Sequence, residues 1–291
     1  MGIIKSLIEI NNGKSVIVRY QGGLGNQMFQ YAFKLMLMSN GFKTYDDLSF
    51  YYFNPSYMPF VLNKVFTNID ICDFEKSKTL MRIGRKIVER TKFYKKDKNY
   101  TRFEEEFTNQ SGWYEGYWQS YKYYKQIRKQ ILDTFVFKKI KNIEVQELEN
   151  KIVSADSVSV HVRAGDYLKI ENAKNFGGIC TQNYYMDAID YMKKMFVNPI
   201  FIVFSDDIEW AKRNIPIDNV IYFENEKIIG YEDWIDMYLM SICKGNIIAN
   251  SSFSWWGAWL NENPNKKIIC PQKWTNIYDN VEVCPKEWIR M

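Results

Sequence analysis

The chain has one histidine, and it stands in the run Ser157-Val-Ser-Val-His161-Val-Arg163-Ala-Gly-Asp166-Tyr167. The alternating stretch predicts a buried strand, and the turn that ends it carries an imidazole, a guanidinium and a carboxylate. Open α/β sheets bind ligands beyond the carboxyl ends of their strands, which makes this turn a candidate site by position. The planar fork of Arg163 suits a phosphate, because it donates two parallel hydrogen bonds to oxyanion oxygens. Two further segments share the placement. Phe204-Ser205-Asp206-Asp207 ends a second predicted strand, and Asn250-Ser251-Ser252-Phe-Ser254-Trp-Trp ends another and opens a helix. Serine hydroxyls and unpaired amides at a helix start attract anions, and the macrodipole adds to the attraction. An acid on a neighbouring strand can accept from ribose hydroxyls or from guanine N–H groups. Phosphate donors beside an acid acceptor describe a nucleotide site.

Each piece also has a plainer reading. His161 is a candidate for a satisfied core histidine. Arg163 and Asp166 can form a structural bridge, and Asp206 or Asp207 can cap the helix beginning near Ile208. Ser251 and Ser252 can be an N-cap and no more, with Trp255, Trp256 and Trp259 facing the core. Parallel strands would bring all of these segments to one rim, and a shared ligand explains that convergence better than separate structural roles.

The elements that would position them read clearly in the second half. Strands at 157–162, 200–204, 219–223, 246–249 and 267–270 alternate with helices at 182–196, 207–214, 231–243 and 253–262, which predicts a doubly wound parallel sheet. The first half offers a strand at 15–20, the loop Gly22-Gly23-Leu-Gly25-Asn26-Gln27, a helix at 26–39 stopped by Asn40-Gly41, and a strand at 42–46. Residues 48–110 show no clear period. Trp113–Ser120 reads as a dense aromatic turn followed by a helix to about 133. At 291 residues the chain is natural for two domains, and the charged segment Lys138–Lys151 places them at 1–150 and 151–291.

Several function classes are disfavoured. Gly23-x-Gly25-x-x-Met28 resembles part of a dinucleotide fingerprint, with Asp46 and Asp47 near the offset of a ribose-binding acid. Met28 replaces the third glycine, however, which argues against a nicotinamide-dependent oxidoreductase. Asn26 and Gln27 suit sugar hydroxyls instead. One histidine allows no metal cluster or zinc pattern, and no D-x-D occurs, so no metal is expected and a diphosphate would be neutralised by Arg163, amides and helix dipoles. No G-x-S-x-G elbow accompanies the histidine.

The five cysteines are scattered, as expected of reduced thiols. The net charge of +5 is concentrated, because Lys76–Arg102 holds eleven bases and two acids. Leu80, Ile83, Ile87 and Val88 fall near helical spacing there, consistent with either a solvated helix face or a basic amphipathic helix on an anionic membrane. No nucleic-acid module accompanies the patch. No apolar run is long enough to span a bilayer, and Glu9 interrupts what a secretion signal would need, so a cytoplasmic location is expected.

Five segments together resemble the α-1,2-fucosyltransferases of glycosyltransferase family 11. They are Arg19-Tyr-Gln-Gly-Gly-Leu-Gly-Asn-Gln-Met-Phe-Gln-Tyr31, Gly116-Tyr-Trp-Gln-Ser120, His161-Val-Arg-Ala-Gly-Asp-Tyr167, Phe204-Ser-Asp-Asp207 and Asn250-Ser-Ser-Phe-Ser-Trp-Trp256. The resemblance runs from about residue 15 to the C-terminus. It implies a GT-B-type α/β architecture of two Rossmann-like domains facing a cleft, the acceptor side N-terminal and the GDP-sugar side C-terminal. It implies inverting, metal-independent and cofactor-free transfer of L-fucose from GDP-β-L-fucose to a sugar 2-hydroxyl, often of galactose, in a bacterial surface-glycan or O-antigen precursor.

By that resemblance His161 and Arg163 lie near the donor phosphates, Asp206 or Asp207 near guanosine, and Asn250, Ser251, Ser252 and Ser254 around the diphosphate. Gly23, Gly25, Asn26, Gln27, Trp118 and Gln119 fall on the acceptor side. Asp166 is the candidate base or an orienting partner of Arg163, with Glu115 and Glu171 as alternatives. The family pattern has a second arginine where this chain has Ala164. That substitution opens two other readings, a different GDP-6-deoxysugar donor or a non-catalytic glycan-binding relative.

Overall fold

The computed structural model describes residues 12–13, 15–72, 78–164 and 170–291, and for 78–82 and 170–172 the backbone alone. The chain divides into two compact units, Met1–Lys138 and Lys139–Met291. The division falls at the head of the charged segment because the helix Ile143–Ser154 sides with the second unit. Val145 and Ile152 on that helix are buried, and Tyr238 donates to Glu149 at 2.6 Å.

The first unit holds strands β1 (Ser15–Arg19), β2 (Lys43–Asp47), β3 (Tyr94–Lys96) and β4 (Gly112–Glu115), with helix α1 (Leu24–Ser39) after β1 and α2 (Lys78–Val88) before β3. All four strands are parallel, in the order β2-β1-β4-β3. The chain lays β2 on one side of β1 and later β4 on the other, so the winding reverses between β1 and β4. β1 is buried at every position, and α1 is buried along most of its circumference, which fits its apolar composition on nearly all sides. Lys34, in the middle of that helix, is tolerated because its ammonium lies 2.7 Å from the buried Asp46 carboxylate.

Trp113 and Tyr114, expected within an aromatic turn, are buried residues of β4. β3 and β4 escaped the sequence reading because three and four residues are too few to show a period.

The second unit is the doubly wound sheet the alternation predicts. Helix α3 (Ile143–Ser154) leads into β5 (Ser157–Val162), followed by α4 (Ile170–Phe176), α5 (Gln182–Met195), β6 (Ile200–Ser205), α6 (Ile208–Asn214), β7 (Val220–Tyr222), α7 (Trp234–Ser241), β8 (Gly245–Ile247), α8 (Ser252–Leu260), β9 (Lys267–Cys270) and β10 (Ile289–Arg290). The strands are all parallel, in the order β10-β9-β8-β5-β6-β7. Winding runs outward from β5 to β7, then returns to lay β8 on the other side of β5.

Valines 158, 160 and 162 enter one core with Phe201, Val203, Ile189 and Met192. The alternate residues of β5 face the opposite layer, where Asn246 donates to Ser159 Oγ at 2.8 Å and to the Met240 carbonyl at 2.7 Å. Asn261 donates in turn to Asn246 Oδ1 at 2.8 Å, so a buried amide network ties β5 and β8 to the helices above them. Gly257 lets α8 lie close on α7, since a Cβ there would stand 2.9 Å from that of Met240.

Among the described residues no helix is long and apolar enough to cross a membrane.

Candidate functional site

His161 is the last member of the polar file on β5 and sits beside the reversal between β5 and β8. Its imidazole is buried, with the ring centroid 5.9 Å from that of Phe253 in the first turn of α8. The Tyr185 hydroxyl fixes the strand from behind by donating to the His161 carbonyl at 3.1 Å. Burial, and after it the Arg163 guanidinium, push the imidazole from 6.5 down to about 3, against an upward pull from Asp206. His161 is therefore neutral at pH 7. Among the described residues its Nδ1 is buried without a hydrogen-bond partner, an open polar valence of the kind a ligand fills.

Asp206 links the second strand end to the first. One carboxylate oxygen accepts from the Ala164 N–H at 2.9 Å, and the other lies 3.4 Å from Arg163 Nε. The guanidinium is thus oriented by Asp206 across the strand gap. Asp207 takes the capping role instead: it accepts from the Trp210 N–H at 2.9 Å and starts α6.

At the third strand end Ser251 caps α8 by accepting from the Phe253 N–H at 3.3 Å, and Ser252 is half-buried on its first turn. Ser254 is fully buried, with its hydroxyl near the Ala249 and Ser251 carbonyls. Asn250 donates to the carbonyls of Phe176 and Trp274, both at 3.2 Å, and so ties the strand end to flanking loops. Trp255, Trp256 and Trp259 are core residues.

His161, Arg163, Asp206, Ser251 and Ser252 therefore share the carboxyl rim of one parallel sheet at its switch point, where α/β folds place ligands. Asp166 lies outside the described residues, as does the Glu171 side chain. Among the described residues, no group of three or more His, Cys, Asp or Glu is arranged to hold a metal. All five cysteines are free thiols.

In the first unit the glycine loop ends β1 and enters α1, whose first turn is closed by the Asn26 and Gln27 N–H groups on the Gly23 carbonyl. Gln27 is fully buried and its amide is occupied by backbone: it donates to the Gly22 and Pro59 carbonyls and accepts from the Val61 N–H. Gln119 donates to Asn26 Oδ1 at 3.0 Å. Trp118 is buried and stacks on Phe33 at 4.2 Å. Of the polar side chains expected to meet an acceptor, Gln27 and Gln119 thus hold the loops in place. Gly25 and Met28 are buried in α1, and Asp46 and Asp47 are fully buried and hydrogen-bonded within the unit. Neither acid is available to a ribose, which removes the structural basis for a dinucleotide site.

The sequence reading passed over the pairing of Asp206 with Arg163 and the Phe253 ring against His161. Both join residues far apart in the chain and have no local signature.

Two α/β units with parallel sheets define a GT-B-type glycosyltransferase fold. The fucosyltransferase NodZ from Bradyrhizobium superposes with a TM-score of 0.50 at 14% identity, covering 84% of this chain and 92% of that one. The Arabidopsis thaliana FUT1 structure in complex with GDP gives 0.51 at 12%, covering 92% and 74%. At such identities the likeness is one of fold.

The sequence goes further: residues 6–291 match Glycosyl transferase family 11, and the chain belongs to that family. It is 36% identical over 301 residues to an Escherichia coli α-1,2-colitosyltransferase, covering 95% of this chain and 98% of that protein. It is 39% identical over 138 residues to the E. coli O-antigen biosynthesis glycosyltransferase WbnK, covering 47% and 45%. Galactoside α-(1,2)-fucosyltransferase 1 of Leontopithecus chrysomelas is 28% identical over 151 residues, covering 48% and 40%. The protein is a glycosyltransferase.

Proposed function

We propose that this glycosyltransferase moves L-fucose from GDP-β-L-fucose to the 2-hydroxyl of a sugar, favouring a galactoside, with inversion and without a metal. The observation that carries the donor assignment is the meeting of His161, the Arg163–Asp206 pair and the α8 start at the switch point of the second unit's sheet. In this reading residues 151–291 bind the donor and 1–150 the acceptor. Arg163 takes the diphosphate, and Asp206 holds the guanidinium at its Nε edge. The Ser252 hydroxyl and the first-turn amides of α8 receive charge as GDP departs from the anomeric carbon. Preorganised donors of this kind supply the largest share of stabilisation in many enzymes. A neutral His161 contributes a hydrogen bond at Nδ1 and carries no positive charge to the phosphates. The acceptor hydroxyl loses its proton to a carboxylate, for which Asp166 is the candidate.

The 36% identity to an α-1,2-colitosyltransferase supports a second reading, in which the donor is another GDP-6-deoxysugar such as GDP-colitose. The name of WbnK supports an O-antigen precursor as the product. We also infer peripheral attachment to an anionic membrane through 76–102, of which 76 and 77 lie outside the described residues. That inference is supported by α2, where Ile83 and Ile87 are exposed beside Arg85 and Lys86.

Titration calorimetry with GDP and UDP tests the donor assignment. GDP binds preferentially, and Arg163→Ala weakens it about 10- to 150-fold, the equivalent of a charged hydrogen bond of ~1.5–3 kcal/mol. Absent GDP binding, or unchanged affinity in the variant, overturns the assignment. Comparing kcat/KM for GDP-fucose and GDP-colitose in the presence of EDTA decides the sugar and the metal independence together.

A further inference from the structure

We propose that the carboxylate of Glu115, at the switch point of the first unit's sheet, binds hydroxyl groups of the acceptor sugar, with Tyr57 and Tyr117 forming the aromatic surface against which that sugar packs. This rests on the reading of the protein as a sugar transferase. Within Gly112–Ser120 every residue is buried except Glu115 and Tyr117, so these two side chains are what β4 and its following loop offer to solvent. They stand where the winding of the sheet reverses between β1 and β4, the position at which an open α/β sheet receives a ligand.

The neighbours of Glu115 hold it as an anion. Arg19, the last residue of β1, forms an ion pair with it, Arg85 of α2 lies 3.6 Å away, and the Tyr94 hydroxyl donates to it. Burial raises the Glu115 carboxyl, but Arg19, Tyr94 and Arg85 together outweigh burial and hold it below the usual glutamate range. Such a group is a poor proton acceptor and a strong hydrogen-bond acceptor, suited to the hydroxyls of a neutral hexoside. Among the described residues Arg19 Nε is buried without a hydrogen bond, the Asp47 carboxylate being 4.0 Å away.

The aromatic half is presented by an anchored segment. The Tyr51 hydroxyl donates to the Gly22 carbonyl at 2.8 Å, and Gln27 binds both Pro59 and Val61, which pins the stretch between them to the glycine loop. Phe50 lies under the Arg19 guanidinium at 5.9 Å and meets Tyr57 edge-on at 5.2 Å. Tyr57 is 49% exposed despite those anchors. Tyr117 lies within electrostatic reach of both Tyr57 and the Glu115 carboxylate, so an anchored, exposed ring and a hydroxyl acceptor flank one side chain, the combination that pyranose recognition needs. The anchoring also gives Gln27 a functional consequence: it positions the sugar platform without touching the sugar.

The test uses the full chain, GDP-fucose, and the best acceptor from a panel of β-galactosides, β-glucosides and N-acetylhexosaminides. Glu115→Gln is expected to raise the acceptor KM about tenfold with kcat within about threefold, and Tyr57→Ala, at an exposed position that does not support the fold, about fivefold. The GDP Kd stays at the wild-type value in both. Wild-type acceptor KM in both variants overturns the proposal. So does a Glu115→Gln enzyme that loses kcat at fixed KM together with the acidic limb of its pH–rate profile, which identifies a base. Absence of turnover with every acceptor by a wild-type protein that binds GDP fails the transferase reading itself, and this proposal with it.

Discussion

At the scale of single residues, Ala164 is the telling position. The pattern this segment resembles usually has a second arginine there, but in this chain the Ala164 methyl lies in the core of the second unit and its N–H is bonded to Asp206. A long side chain at this position would have to displace that packing. Ala164→Arg is accordingly expected to destabilise the protein by about 3 kcal/mol without tightening GDP, as read by chemical denaturation and calorimetry. Tighter GDP binding at unchanged stability would contradict that account.

His161 makes a second prediction through its protonation. Its folded-state value near 3 lies below the ordinary 6.5, so between those values the unfolded chain binds a proton that the native state refuses. The stability contributed by neutral His161 is complete above pH 6.5 and is lost as pH falls towards 3. Replacing it with Asn should shrink the difference in unfolding free energy between pH 7.5 and pH 5, and an unaltered difference would count against a neutral buried imidazole.

At the scale of elements, the carboxyl rim of the second unit's sheet depends on a buried polar clamp. Asn246 on β8 joins Ser159 of β5, the end of α7 and Asn261 after α8, all out of water. Removing its amide strands several buried partners at once, so Asn246→Ala should cost about 2–4 kcal/mol. Because β5 and α8 both hang on this residue, GDP affinity should fall with stability. A stable variant with normal GDP binding would show that the rim is held by the apolar layer alone.

The first unit uses a comparable device, in which Asp97 accepts from the Tyr117 and Trp118 N–H groups and fixes the loop after β4. Gly116 is needed in that loop, since a Cβ there would stand 2.2 Å from the Cβ of Asp97.

At the scale of the whole molecule, the charge distribution is what supports the proposed attachment to an anionic surface. Bases crowd 76–102, and the α2 face there exposes Ile83 and Ile87 at 50% and 55%. Polybasic segments gain about 1 kcal/mol per cation near an anionic surface, and an inserted aliphatic side chain adds to that. Vesicles containing phosphatidylglycerol should therefore retain the protein at low salt and release it at high salt, with vesicles of neutral lipid retaining little. Ile87→Glu should lower the retained fraction about tenfold while leaving GDP binding intact. Equal retention by both lipid compositions would remove the anionic surface from the picture, and no retention by either would remove the membrane.

The sequence by itself determined the second unit and the rim of the candidate site. Alternation in 157–162, helical spacing in 231–243 and the regular succession of strands and helices leave a parallel doubly wound sheet as the arrangement that buries those faces. Parallel strands then carry His161, Arg163, Asp206 and Ser251 to one edge, whichever loops join them. Only the tertiary structure decided which acid serves which base. Asp206 rather than a neighbour in sequence orients Arg163, Asp207 caps a helix, and Gln27 faces inward to backbone partners. It also revealed β3 and β4, and with them the partial exposure of Glu115 and Tyr117. Such outcomes rest on hydrogen bonds between residues tens of positions apart, whose partners are chosen by packing distance and desolvation, and no local period records either.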